Sequence, residues 1–168
     1  MTISSDPRQW QVGMLGYGEV GRILAEDLRQ QGIKVAAYDI KLDRGQGAPL
    51  RAHAAETGVV LAESHADLAA RADLIISAVT ASQAVAVAEA CAPAIGKGAW
   101  FLDFNSASPG AKQRAAAHID GAGGRYVEGA VMTSLPPSRI KVPLLLGGTG
   151  LFERLRHFPG SLLVTMLA

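Results

Sequence analysis

Residues 10–21 read Trp10-Gln11-Val12-Gly13-Met14-Leu15-Gly16-Tyr17-Gly18-Glu19-Val20-Gly21. The apolar run over residues 10–15 has the length of a buried strand, and three glycines spaced G-x-G-x-x-G follow it at once. Val20, Ile23, Leu24 and Leu28 then recur at helical spacing through residues 19–31, and Gly32 stands where a helix-ending glycine belongs. In a chain with 19 glycines the glycine spacing alone decides little. The strand before it and the helix after it decide more, because each glycine then has a task. Gly16 permits a tight turn, Gly18 lets the backbone approach a pyrophosphate, and Gly21 lets the helix pack closely on the strand. The free N–H groups of the first helical turn, at the positive end of the helix dipole, would face the phosphates.

Outward from this turn the same alternation continues. Residues 34–38 read as a second strand ending at Asp39, about 20 residues beyond the turn, where a carboxylate can accept hydrogen bonds from the adenosine ribose. That favours NAD. Lys41 and Arg44, just beyond, are placed to hold a 2′-phosphate, so NADP stays open. Residues 39–49 read as a polar loop and 50–57 as a short helix closed by Gly58. Residues 59–61 read as a third strand, and Ser64 as the N-cap of a further helix. Residues 74–79 and 100–104 read as strands four and five, with an alanine- and valine-rich helix over 82–91 ended by Pro93. Ser108-Pro109 opens a helix that stops at Gly121–Gly124. Two more strands are expected at 125–131 and 142–146. Apolar strands separated by helices predict an α/β domain of Rossmann type: a doubly wound, mostly parallel sheet with helices on both faces.

Composition fits one such domain. Of 168 residues, 49% are hydrophobic and 18% charged, which argues for a buried core and against disorder. With 16 basic and 15 acidic residues and no basic stripe, neither nucleic acid nor an anionic membrane is an expected partner. A small-molecule substrate is. Cys91, the one cysteine, sits among alanines and reads as core. No apolar leader precedes the first strand, and a cytoplasmic location is expected. The four histidines are scattered, so no metal site is expected.

The middle of the chain carries a resemblance. Phe101-Leu102-Asp103-Phe104-Asn105-Ser106-Ala107-Ser108-Pro109 resembles the D-x-S-[ST]-x-x-P segment of the β-hydroxyacid dehydrogenase family, which includes 3-hydroxyisobutyrate and 6-phosphogluconate dehydrogenases. Tyr126-Val127-Glu128-Gly129-Ala130-Val131 is similar to the family's approach to a substrate-binding S-G-G, and Leu144-Leu145-Leu146-Gly147-Gly148 to the strand that follows. The resemblance spans about residues 10–150. It implies an N-terminal NAD(P)-binding domain in which Gly16, Tyr17, Gly18, Glu19, Val20, Gly21, Asp39, Val79, Thr80 and Ser106 line the cofactor cleft, with Tyr17 covering the cofactor. It implies too that Ser106 contacts the nicotinamide side and, with Thr133 and Ser134, the substrate; Ser108 reads mainly as a helix cap. Two departures stand out. Met132-Thr133-Ser134 replaces S-G-G, which narrows an approach that glycine leaves open. The family's catalytic lysine lies in a following helical domain; Lys97, Lys112 and Lys141 lack its motif, and residues 151–168 do not resemble that domain's start.

The resulting expectation is an NAD(P)-binding domain over 1–150 with a tail over 151–168. It would belong to an oxidoreductase acting on the CH–OH group of a 3-hydroxyacid-like small molecule, with imine reductases a sister class. As it stands the chain would bind cofactor and turn over poorly. The alternative is a non-catalytic dinucleotide-binding module or a fragment that needs a partner domain. Apolar surface on the tail would promote self-association.

Overall fold

The computed structural model describes residues 3–147, 149–155 and 164–167. The chain builds an eight-stranded sheet in the order β3-β2-β1-β4-β5-β6-β7-β8. The strands are β1 (Gln11–Leu15), β2 (Lys34–Tyr38), β3 (Val60–Leu61), β4 (Leu74–Ser77), β5 (Trp100–Asp103), β6 (Arg125–Val131), β7 (Leu144–Gly147) and β8 (Val164–Leu167). The helices are α1 (Glu19–Gln30), α2 (Ala48–Thr57), α3 (His65–Arg71), α4 (Ala84–Cys91), α5 (Pro109–Gly121), α6 (Leu135–Ser138) and α7 (Thr149–Leu155). Strands β1 to β6 run parallel, β7 lies antiparallel to β6, and β8 is parallel to β7. The order reverses between β1 and β4, the switch point at which open α/β sheets bind ligands beyond their carboxyl ends.

Helices α3, α4 and α5 pack side by side on one face, while α1, α2 and α6 cover the other. The core follows from strands buried on both faces: Val12, Met14, Leu15, Leu74, Ile75, Phe101 and Leu102 are all at most 1% exposed. The doubly wound, mostly parallel α/β architecture expected from the sequence is therefore what forms.

Boundaries shift for local reasons. Helix α2 starts at Ala48 rather than at residue 50, with Pro49 in the first turn, where its missing N–H costs nothing. A 3-10 turn over Ile40–Leu42, capped by Asp39, interrupts the expected polar loop. Strand β7 begins after Pro143, which has no N–H to give to a ladder, rather than at residue 142. Ser64 and Ser108 cap α3 and α5 as expected, accepting from Asp67 N at 3.0 Å and Ala111 N at 3.3 Å.

The connection from β6 to β7 is clamped to α1. Asp27, only 7% exposed, accepts from Arg139 Nε at 2.8 Å and from the Ile140 backbone N–H at 2.9 Å. Arg139 also bridges to Glu26 and has a positive φ of 50°, a conformation these partners hold in place. The carboxylates of Asp27, then Glu26, push the Arg139 guanidinium further above its usual range.

The expected boundary at residue 150 falls inside α7. Leu151 and Leu155 are buried, and a Cβ on Gly150 would stand 2.8 Å from the Trp100 ring. These two leucines therefore do not belong to the exposed apolar surface expected to drive self-association. The rest of that expectation falls largely outside the described residues.

Candidate functional site

Each glycine of the turn meets a different environment. Gly16 has φ +82°, and a Cβ there would lie 2.3 Å from the Ala78 carbonyl oxygen. A Cβ on Gly21 would lie 2.0 Å from the Gly16 carbonyl oxygen. The fold itself therefore demands both glycines. Gly18 differs: beyond its own chain neighbours, no protein atom lies within 4 Å of the place where its Cβ would stand. It is the N-cap of α1 and offers no side chain to the first-turn N–H groups, which are left for an external acceptor. The bare position and the uncapped helix end fit a pyrophosphate.

The turn is held from below. Gly16 N–H donates to the Tyr38 carbonyl at 3.0 Å. The Asp39 carboxylate accepts from Tyr17 N–H through Oδ2 and from Lys41 N–H through Oδ1, both at 2.9 Å. Asp39 is thus locked at the end of β2 while lone pairs stay available for ribose hydroxyls.

Two cavities open along the carboxyl ends of the strands. The first, about 390 Å³, brings together Gly16, Gly18, Glu19, Val20, Asp39, Val79 and Thr80 with Tyr38, Ile40, Lys41, His65 and Val87. The second, about 400 Å³, brings together Ser106 and Thr133 with Asn105, Phe104, Val131 and Leu135. Val20, Ala78 and Val79 line both, so the two form one cleft with an acidic, ribose-type end and a hydroxyl-bearing end.

Some expected site residues are not brought there. The Tyr17 side chain does not cover the cleft. It is fully buried between α1 and α2, its hydroxyl 2.7 Å from His53 Nδ1, and burial raises its phenol above the ordinary range. Only its backbone serves the turn. Gly21 acts by close packing and does not line the cleft. Ser134 is exposed at the start of α6 and lines neither cavity, and Arg44, unlike Lys41, does not reach the first. Glu128 lines neither cavity and is paired with Lys112 Nζ at 3.1 Å. Cys91 is core, its thiol pushed up to about 12 by burial.

The sequence reading missed a buried polar strut under the second cavity. Asn105 accepts from Val79 N–H at 2.7 Å and donates to Ser77 Oγ at 3.0 Å. Its own N–H donates to Asp103, which also receives the Tyr126 hydroxyl at 2.6 Å. Asp103 and Ser77 are wholly buried. Burial, then this carboxylate, pushes the Tyr126 phenol far above its ordinary range. The network ties the carboxyl ends of β4 and β5 to each other and to Tyr126 near the start of β6. Its signal was present in Asp103 and Asn105, polar residues at the end of a buried strand, which cannot be buried without partners.

Among the described residues no group of acidic, histidine or cysteine side chains could hold a metal ion, and no helix is long and apolar enough to cross a membrane. No curated protein matches the sequence. A conserved hypothetical protein from Sinorhizobium meliloti is similar at 34% identity and a TM-score of 0.87, over 96% of this chain and 55% of its own. The 3-hydroxyisobutyrate dehydrogenase of Mycobacterium tuberculosis, solved with L-serine, shares the fold at 20% identity and a TM-score of 0.80, over 94% of this chain and 54% of its own. An imine reductase from Myxococcus stipitatus in complex with NADP+ shares it at 20% identity and a TM-score of 0.76, again over 94% and 54%; a variant of that enzyme was solved with NAD+. The chain thus spans about half the length of these proteins. Residues 11–139 match the family model of the NAD binding domain of 6-phosphogluconate dehydrogenase. That stretch contains the glycine turn, Asp39, the lining residues of both cavities and the Asn105 strut, and the chain belongs to this family of NAD-binding domains.

Proposed function

We propose that the chain binds NAD(H) or NADP(H) along the joined cavities as part of an oxidoreductase acting on the CH–OH group of a 3-hydroxyacid-like small molecule. One observation carries the cofactor half: Gly18 is the only glycine of the turn that the protein's own packing does not require, and a phosphate approaching the backbone explains it. Asp39 and its two N–H partners would hold the adenosine ribose, the α1 N-terminus the pyrophosphate, and the Val79 edge the centre of the cofactor. A bound nicotinamide would supply hydride exchange with carbon.

The residues of this chain bind and orient. Ser106 and Thr133 present hydroxyls to the second cavity, suited to the carboxamide or to a polar group of the substrate. Phe104, Val131 and Leu135 add apolar surface to that wall beside Asn105, which would help keep water from the reacting carbon. Asp39 favours NAD, since its carboxylate repels a 2′-phosphate; Lys41 in the same wall acts against that preference. The acid or base for the substrate hydroxyl is not assigned to this chain.

The test is a fluorescence titration with NADH and, separately, NADPH. Trp10 and Trp100 are both buried beside the sheet and report by energy transfer. Saturable binding that is lost in Gly18→Val supports the site. Binding untouched by Gly18→Val, or no binding by a folded sample, overturns it. Absorbance at the reduced-nicotinamide band with added 3-hydroxyacids then tests the reaction.

A further inference from the structure

The first cavity holds an ionisable side chain that the reading above does not use. His65 is the first residue of α3, held there by the Ser64 cap. It shares the cavity wall with Asp39 and Lys41. Its ring meets Tyr38 edge-on, with centroids 4.7 Å apart and planes at 70°. The Tyr38 hydroxyl is committed elsewhere, donating to Asp43 at 2.6 Å.

We propose that His65 is a determinant of cofactor choice: neutral, it leaves the cavity to Asp39 and a ribose 2′-hydroxyl, and protonated, it joins Lys41 in favouring a 2′-phosphate. This rests on the dinucleotide reading and names a regulator of the same site.

The charges around the ring are few. From β2 and the segment after it come Tyr38, Asp39, Lys41 and Asp43, with exposed Arg44 farther along. From α4 comes the Cys91 thiol, which donates weakly to the His65 carbonyl at 3.8 Å and is neutral. On α3 itself, Asp67 is engaged by Arg71 and the Glu63 N–H. Gln83, also in the wall, is uncharged. Burial lowers the proton affinity of the ring below that of an ordinary histidine, and Asp43 and Asp39 oppose this more weakly. At neutral pH the wall therefore sets two carboxylates, Asp39 and, from the start of α1, Glu19, against one ammonium, Lys41. In mild acid the ring adds a second cation. A 2′-phosphate interacts better with that state, so by linkage its binding must draw a proton onto His65, whereas a 2′-hydroxyl does not.

The experiment titrates NADH and NADPH into the whole chain by calorimetry between pH 8 and 5.5, in two buffers of different ionisation enthalpy. NADPH is expected to tighten relative to NADH by about five- to tenfold on acidification, the size of a shift approaching one pKa unit. Net proton uptake is expected with NADPH near pH 6, and in His65→Gln both effects should fall to what the phosphate's own titration contributes. The phosphate's own titration persists in that variant, so the difference belongs to His65. Should His65→Gln not fold, the ring-proton resonance of His65 in the native chain gives the same answer: its titration midpoint rises with NADPH and not with NADH. Saturable binding of both with no such pH dependence, or the same dependence in His65→Gln, overturns the role of His65 alone. No binding of either nucleotide at any pH overturns this role and the site together.

Discussion

The two ends of the cleft are built by different means. The end around Gly16–Thr80 is made by main chain: a turn in which Gly16 and Gly21 admit no side chain and Gly18 stands bare, an uncapped helix N-terminus, and one carboxylate pinned by two backbone N–H groups. The end around Ser106 and Thr133 is made by side chains standing on a buried strut of Ser77, Asn105, Asp103 and Tyr126. A main-chain site recognises what every dinucleotide has in common. A side-chain site can change with the substrate, and Thr133, within the Met132-Thr133-Ser134 stretch that departs from the S-G-G of the resembled family, lies at that end. Substitutions should therefore separate fold, common binding and specific binding.

The largest effects are expected within the turn, where its glycines should part company. Gly21→Ala drives a Cβ into the Gly16 carbonyl, and Gly16→Ala combines a similar clash with a positive φ. Each should cost at least about 3 kcal/mol, since backbone rather than a flexible side chain must move. For a chain of this size that is roughly 6–12 °C in Tm. Gly18→Val should leave Tm nearly unchanged, within about 1 kcal/mol, yet lower NADH affinity at least about tenfold. Equal loss of stability in all three would break the distinction.

The strut comes next. Asn105→Ala strands the Val79 N–H and the buried Ser77 hydroxyl, at a cost of about 2–3 kcal/mol. Tyr126→Phe leaves the wholly buried Asp103 with one donor fewer, at about 1–3 kcal/mol. The tyrosine also predicts a pH dependence. Its folded-state pKa is raised, so its contribution is complete below the ordinary phenol range and is lost as pH climbs through and beyond about 10. Denaturant midpoints from pH 8 to 11 should fall for the wild type and fall less for Tyr126→Phe. Parallel curves would show that the Asp103 bond does not control this ionisation.

Asp39→Asn should have a smaller and more selective effect. The amide keeps the side chain's shape but can accept only one of the two N–H bonds well. The ratio of NADH to NADPH affinity should fall about tenfold, mostly through gain of NADPH as repulsion is removed. An unchanged ratio would move cofactor choice away from Asp39.

How much of this was legible in the sequence follows the same division. The α/β order, the turn and Asp39 could be read because local signals agree there: strand length, helical spacing, a cap and glycines at fixed offsets. The direction of the Tyr17 side chain could not, because no local rule tells which side of a turn packs against α2. The Tyr17–His53 contact spans the gap between two helices. The placement of Ser134 outside the cleft depends on α6 and on the clamp from Arg139 to Asp27, long-range features that a linear pattern does not carry. The strut was half legible. Asp103 and Asn105 were quoted as a motif, but their burial joins three strands that only the folded sheet brings together.

The smallest expected effect tests the comparison most finely. Ser106 is exposed, caps no helix and lines only the second cavity, so Ser106→Ala should change stability by no more than about 0.5 kcal/mol. ADP-ribose, which has the adenosine and pyrophosphate but no nicotinamide, should bind the variant and the wild type equally. NADH should bind the variant about three- to tenfold more weakly, the worth of one hydrogen bond to an uncharged group. Thr133→Ala, in the same cavity, should do the same or less. If ADP-ribose weakens in step with NADH, Ser106 acts by holding the loop after β5, and the two ends of the cleft are one mechanical unit. If NADH alone weakens, the hydroxyl contacts the nicotinamide end directly, and the side-chain half can be altered without disturbing the main-chain half.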